Sequence, residues 1–174
     1  MDKIPLIVTT EWLEEHLDDP NLRVIDATTF MKPLQNGQIT LTSGRDSYNL
    51  GHIPGAVYAD LLHELSNPES PLPFTLPERE VFTQHMENLG IGDEDTYTVI
   101  YDQGALVGVS VTAPQWAARL RWQLKYEGLE NIAVLEGGLQ KWKEEGRSLT
   151  SESSSYPKAD FSGKRKEEML ATME

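Results

Sequence analysis

Chemistry in this 174-residue sequence has to come from carboxylates, imidazoles, guanidinium groups and hydroxyls, because it contains no cysteine. That excludes disulfides, thiolate metal sites and a sulfur nucleophile. Asp26 and Asp102 each close a run of apolar and β-branched residues, Leu22–Asp26 and Tyr97–Asp102, which places both carboxylates at strand ends. In open α/β sheets such ends border the ligand crevice. Asp26 therefore has two readings, a crevice group or a loop cap that accepts backbone N–H bonds. His52 lies in Gly51-His52-Ile53-Pro54-Gly55, downstream of Arg45 and Asp46. From the residues alone it reads as a turn histidine bonded to a backbone group. Arg119 either pairs with a carboxylate such as Asp102 or lies at an interface. Ser110 has no Gly-x-Ser-x-Gly elbow around it, so a serine nucleophile is not expected. His16, His63 and His85 lack metal-ligand spacing, and Gly137-Gly138 lies in neither a dinucleotide nor a Walker pattern. No metal and no cofactor are expected.

The elements that would position these groups can be read from hydrophobic period and punctuation. Thr9 and Thr10 offer N-caps to a helix carrying Trp12, Leu13 and Leu17 on one face, stopped by Pro20 and Asn21. Residues 28–43 read as a loop broken by Pro33, Asn36 and Gly37, and 48–55 as a lead-in to a strand at Ala56–Ala59. The proline-rich stretch 66–77 reads as irregular surface. Helical spacing over 78–89 ends at Gly90 and Gly92, a third helix runs from Gln115 to Tyr126, and Leu139–Glu145 forms a fourth after the strand Ile132–Leu135. Strands alternating with helices predict an α/β fold, a central, mostly parallel sheet with helices on both faces. One domain is expected over 1–147, followed over 148–174 by a Ser-rich linker and a further, helix-prone segment.

Apolar residues make up 39% and charged residues 25%, the balance of a globular chain. The formal net charge of −13 argues against nucleic acid or an anionic membrane surface as partner, since both require a positive patch. No stretch has the pattern of a signal peptide or the length of a membrane span, and a cytoplasmic location is expected by default.

Several segments occur together in a fixed order. Trp12-Leu13 is followed by Val24-Ile25-Asp26-Ala27, then by Arg45, Tyr48 and Gly51-His52-Ile53-Pro54-Gly55-Ala56. Leu89-Gly90-Ile91, Val99-Ile100-Tyr101-Asp102, Ala117-Ala118-Arg119 with Trp122, and Val134-Leu135-Glu136-Gly137-Gly138 with Trp142 complete the series. This set resembles the rhodanese superfamily of sulfurtransferases, and within it the N-terminal half of the tandem-domain thiosulfate and 3-mercaptopyruvate sulfurtransferases. Tyr156-Pro157 and Phe161 resemble the opening of a second rhodanese domain.

The resemblance implies a reaction that passes through a cysteine persulfide, formed on a cysteine that begins the loop after the central strand. Backbone N–H groups of that loop cradle the anion. Here Asp102 occupies that position. A second alignment places the cysteine position at Ala105 or Val107 and takes Gly108–Ala113 as the end of the active loop; neither residue is a nucleophile. The resemblance thus implies a non-catalytic domain that contributes interface and cleft residues to a Cys-bearing second domain, in the same chain or another protein. His52, Arg45, Asp46 and Arg119 are its candidate cleft or interdomain residues. The whole enzyme would move sulfur from thiosulfate or 3-mercaptopyruvate to cyanide or a thiol. The alternative is a stand-alone inactive rhodanese module that binds a protein partner. A rhodanese-fold phosphatase would need the same missing cysteine.

Overall fold

The computed structural model describes residues 5–33, 35–37, 39–43, 45–59, 79–93, 95–102, 115–152 and 156–161. Its central sheet has five strands. These are β1 (Ile7–Val8), β2 (Leu22–Asp26), β5 (Ala56–Tyr58), β6 (Tyr97–Tyr101) and β7 (Ile132–Leu135), in the spatial order β1-β7-β6-β2-β5. Every pairing in it is parallel. The pattern follows from the sequence, because strands separated by helical crossovers return to one sheet in the same direction.

Side chains alternate across this sheet and meet a different helix set on each face. Ile25, Val57, Ile100 and Val134 pack with Phe82 and Met86 of α3 (Arg79–Leu89) and with Ala117, Leu120 and Leu124 of α4 (Gln115–Tyr126). Val24, Val99, Ala133 and Leu135 face Leu13 of α1 (Thr10–His16), Tyr48 of α2 (Arg45–Leu50), and Leu139 and Trp142 of α5 (Gly138–Glu144). Such two-sided burial explains why the strands are continuous apolar runs rather than half-polar ones. Thr9 caps α1 by accepting the Trp12 N–H at 3.1 Å. Gly137 has φ +78°, and a Cβ there would lie 2.6 Å from the Lys141 side chain, so the turn into α5 requires glycine.

Two expectations need correction. Residues 28–43 are not simply a loop: β3 (Thr29–Pro33) and β4 (Ile39–Ser43) form an antiparallel hairpin separate from the main sheet. The breakers Asn36 and Gly37 mark its turn, and Pro33 sits at the last paired position, where a proline is tolerated. The lead-in before β5 contains α2, whose six residues are too few to show a helical period.

The backbone stays on the domain beyond 147. Trp142 Nε1 donates to the Ser148 carbonyl at 2.7 Å, and His52 and Thr150 exchange backbone hydrogen bonds of 2.8 and 2.9 Å. Further on, Ala159 is buried and its N–H reaches the Glu87 carbonyl at 2.9 Å, while the Phe161 N–H reaches Glu87 Oε2 at 3.0 Å. Tyr156 donates its hydroxyl to the Gly55 carbonyl and lies under the Arg23 guanidinium, 4.4 Å from the ring centre. Gly90 and Gly92 admit this strap: a Cβ at Gly90 would stand 2.3 Å from Tyr156 Cβ, and one at Gly92 2.7 Å from the Phe161 ring.

Candidate functional site

Register decides which way each strand-end residue faces. Asp26 pairs laterally with Tyr101 across β2 and β6, so both lie on the α1–α2–α5 side, with Tyr58 beside them. Asp102, one position further, turns toward α4 and accepts the Ala117 N–H on Oδ2 at 3.1 Å. Its own carbonyl receives the Leu139 N–H at 2.8 Å, which ties the end of β6 to the start of α5. Asp102 is 2% exposed, and the strand it follows is the middle one of the five.

Asp26 is the loop cap that one of its two readings expects. Its Oδ1 accepts the Thr28 N–H at 2.9 Å. Burial in an apolar surrounding pushes its carboxyl up to about 6, and the nearby Asp102 adds to the rise. The Thr28 and Tyr101 hydroxyls lie near enough to offset part of it, yet Oδ2 has no partner in hydrogen-bonding geometry among the described residues. Thr28 Oγ1 and His52 Nε2 are the other buried side-chain polar atoms in that condition.

His52 is buried, and it is a turn histidine. Its Nδ1 lies 2.7 Å from the Tyr48 carbonyl, and a carbonyl only accepts, so Nδ1 carries the proton and donates. The ring stacks on Tyr48 at 3.8 Å and 8°. Its neighbour Ile53 donates its N–H to the Tyr101 hydroxyl at 3.2 Å, joining the turn to the middle strand. Burial and the nearby Asp26 carboxylate hold the Tyr101 hydroxyl well above the usual tyrosine range, so it stays protonated. A buried ring cannot touch a docked partner directly. Any effect of His52 on a neighbouring site passes through the turn it holds.

Arg45 and Asp46 are exposed on the first turn of α2, with the Arg45 guanidinium 4.9 Å above the Tyr58 ring. The Tyr58 hydroxyl donates to the Thr28 carbonyl at 2.7 Å, so Arg45 belongs to the same corner as Asp26 and His52. Arg119 is in α4, but its side chain lies outside the described residues, as do His63 and the whole segment 103–114 with Ala105, Val107 and Ser110. Among the described residues no group of three or more metal-ligating side chains occurs. Tyr48, Tyr58 and Tyr101 complete this corner, and the sequence marked them only as members of two strands and of the segment before the Gly-His-Ile-Pro-Gly turn, with no role of their own.

With this geometry in view, residues 9–145 match the family model of the rhodanese-like domain. The chain belongs to the rhodanese family. It is 35% identical over 154 residues to the 3-mercaptopyruvate sulfurtransferase of Escherichia coli, covering 88% of this chain and 50% of that protein. It is 31% identical over 172 residues to the thiosulfate sulfurtransferase of Rattus norvegicus, covering 97% of this chain and 53% of the relative. A crystal structure of SseA from Escherichia coli, a 3-mercaptopyruvate sulfotransferase, superimposes with a TM-score of 0.75 at 32% identity, over 98% of this chain and 63% of that one. The chain thus spans about half the length of the curated relatives it matches. The rhodanese fold that the resemblance implied is the one observed, with an all-parallel sheet where a mostly parallel one was expected.

Proposed function

We propose that this rhodanese domain is the non-catalytic partner of a Cys-bearing rhodanese domain in a sulfurtransferase that uses thiosulfate or 3-mercaptopyruvate as donor and cyanide or a thiol as acceptor. One observation carries the reading. The residue that follows the middle strand is a buried aspartate, Asp102, and the sequence has no cysteine to form a persulfide. A carboxylate there is a poor nucleophile toward sulfane sulfur and repels an anionic donor at short range. Asp26, at the neighbouring strand end, adds a second carboxylate to the same edge. In this reading the domain supplies interface and shape, with Arg45, Asp46 and Arg119 at the cleft and His52 setting the turn beside it. A second domain beginning beyond the strap at 156–161, the absence of nucleic-acid and membrane partners, and a cytoplasmic location belong to the same proposal.

The experiment has three arms, the chain alone, a Cys-bearing rhodanese domain alone and the two joined, each assayed for thiosulfate- and 3-mercaptopyruvate-dependent thiocyanate formation. No turnover by the first, and more turnover by the joined form than by the Cys-bearing domain alone, support the proposal. If the Cys-bearing domain is equally active without this one, the chain is better read as an inactive module that binds another protein.

A further inference from the structure

We infer that Asn36 is a site of spontaneous covalent modification, deamidating to aspartate and isoaspartate at the tip of the β3–β4 hairpin. Of the asparagines in the sequence, only Asn36 precedes glycine; Asn21, Asn49 and Asn88 precede leucine, Asn67 proline and Asn131 isoleucine. The reaction requires the next residue's backbone nitrogen to reach the asparagine side chain, and a bulky or ring-closed neighbour obstructs that approach. Gly37 does not. It has no side chain, it adopts φ +84°, and even a Cβ placed on it would meet nothing within 4 Å. Gln35, Asn36 and Gly37 are all exposed in the turn, so water and base have access to the reacting atoms.

The chemistry balances without an oxidant or a cofactor. The Gly37 nitrogen loses its proton and bonds to Asn36 Cγ, the Cγ–Nδ2 bond breaks, and ammonia leaves with that proton. Water then opens the succinimide. Addition at Cγ gives aspartate, and addition at the backbone carbonyl gives isoaspartate, in which the main chain runs through the side-chain carbon. Either product adds a negative charge to a chain already at −13. Isoaspartate also lengthens the backbone by one carbon inside the loop that closes the hairpin above the Pro33–Ile39 pair. A hairpin's register is set by its turn, so the lengthened form must loosen that end. The hairpin begins just past Asp26 and Thr28, and the change therefore sits on an arm attached directly to the candidate site.

The test is a timed incubation of the folded 174-residue chain at neutral and mildly alkaline pH, followed by peptide mapping with mass spectrometry. Isoaspartate is scored by labelling with a protein isoaspartyl methyltransferase. The expected result is conversion confined to the peptide containing Asn36, faster in base, with isoaspartate exceeding aspartate. Gly37→Ala should slow it severalfold and Asn36→Gln should abolish the label, with both variants checked for native circular dichroism. An intact Asn36 in the folded chain, when the urea-unfolded chain converts under the same conditions, overturns the inference. So does a rate unchanged by Gly37→Ala, or earlier conversion of another asparagine.

Discussion

Replacing Asp26 with asparagine separates the charge of this residue from its hydrogen bond. The amide oxygen can still accept the Thr28 N–H, now at 2.9 Å, while the ionisable group is gone. Burial raises the Asp26 carboxyl from 3.8 to about 6. A shift of roughly 2 pK units corresponds to about 3 kcal/mol between the two protonation states. The sign follows from linkage. With the folded-state value above the unfolded one, the folded protein binds the proton more tightly. The contribution to stability is complete below about pH 4 and is lost as pH rises toward and through about 6. At neutral pH the wild-type chain therefore carries an ionised, buried carboxylate that Asp26→Asn removes. The stability difference, variant minus wild type, should grow by up to about 3 kcal/mol between pH 4 and pH 7, whatever constant offset the amide introduces. Urea unfolding followed by tryptophan fluorescence at intervals across that range measures it. Two curves that stay parallel would refute the argument, because they would mean that Asp26 has the same affinity for its proton folded and unfolded.

The strap and the turn offer three further tests. Ending the chain after 161 should leave a stable domain, whereas ending it after 147 exposes the surface under Tyr156, Ala159 and Phe161; thermal unfolding should show a loss of several kcal/mol, and equal midpoints would count against a structural role for the strap. Gly90→Ala should cost upward of about 2 kcal/mol, from a left-handed backbone at φ +85° and a collision with Tyr156, as read from urea midpoints. His52→Ala should lose about 2 kcal/mol, through the Tyr48 stack and carbonyl bond; in a fusion with a Cys-bearing domain it should lower activity modestly, with stability falling in parallel.

How much was legible depended on the range of each signal. Val99-Ile100-Tyr101 and Ile132–Leu135 announced buried strands because both of their faces are covered, and the helices over 79–89 and 115–126 were long enough to show their period. The hairpin was missed because the breakers at Pro33, Asn36 and Gly37, clustered within residues 28–43, outweighed the β-branched residues around them. At the site, Asp26 and Asp102 could be placed at strand ends from sequence, and so could the turn holding His52. The side-chain arrangement could not. Stacking of His52 on Tyr48 and the reach of Tyr101 to Ile53 join residues distant in the chain, and no local pattern encodes such contacts. Tyr156-Pro157 and Phe161 stood out in the sequence only through their resemblance to the opening of a further domain; their packing on this one depends on glycines at 90 and 92 making room for aromatic side chains much further along.

The cysteine-free chemistry is tested most directly by thiocyanate formation from thiosulfate and cyanide with the purified chain as the sole protein. No enzyme-dependent turnover is expected from the wild-type chain, and Asp102→Cys should restore little, because the side chain at 102 is buried and turned toward α4, where a thiolate is out of reach of a sulfur donor. Robust turnover by the wild-type chain would contradict the assignment of this domain as the non-catalytic one.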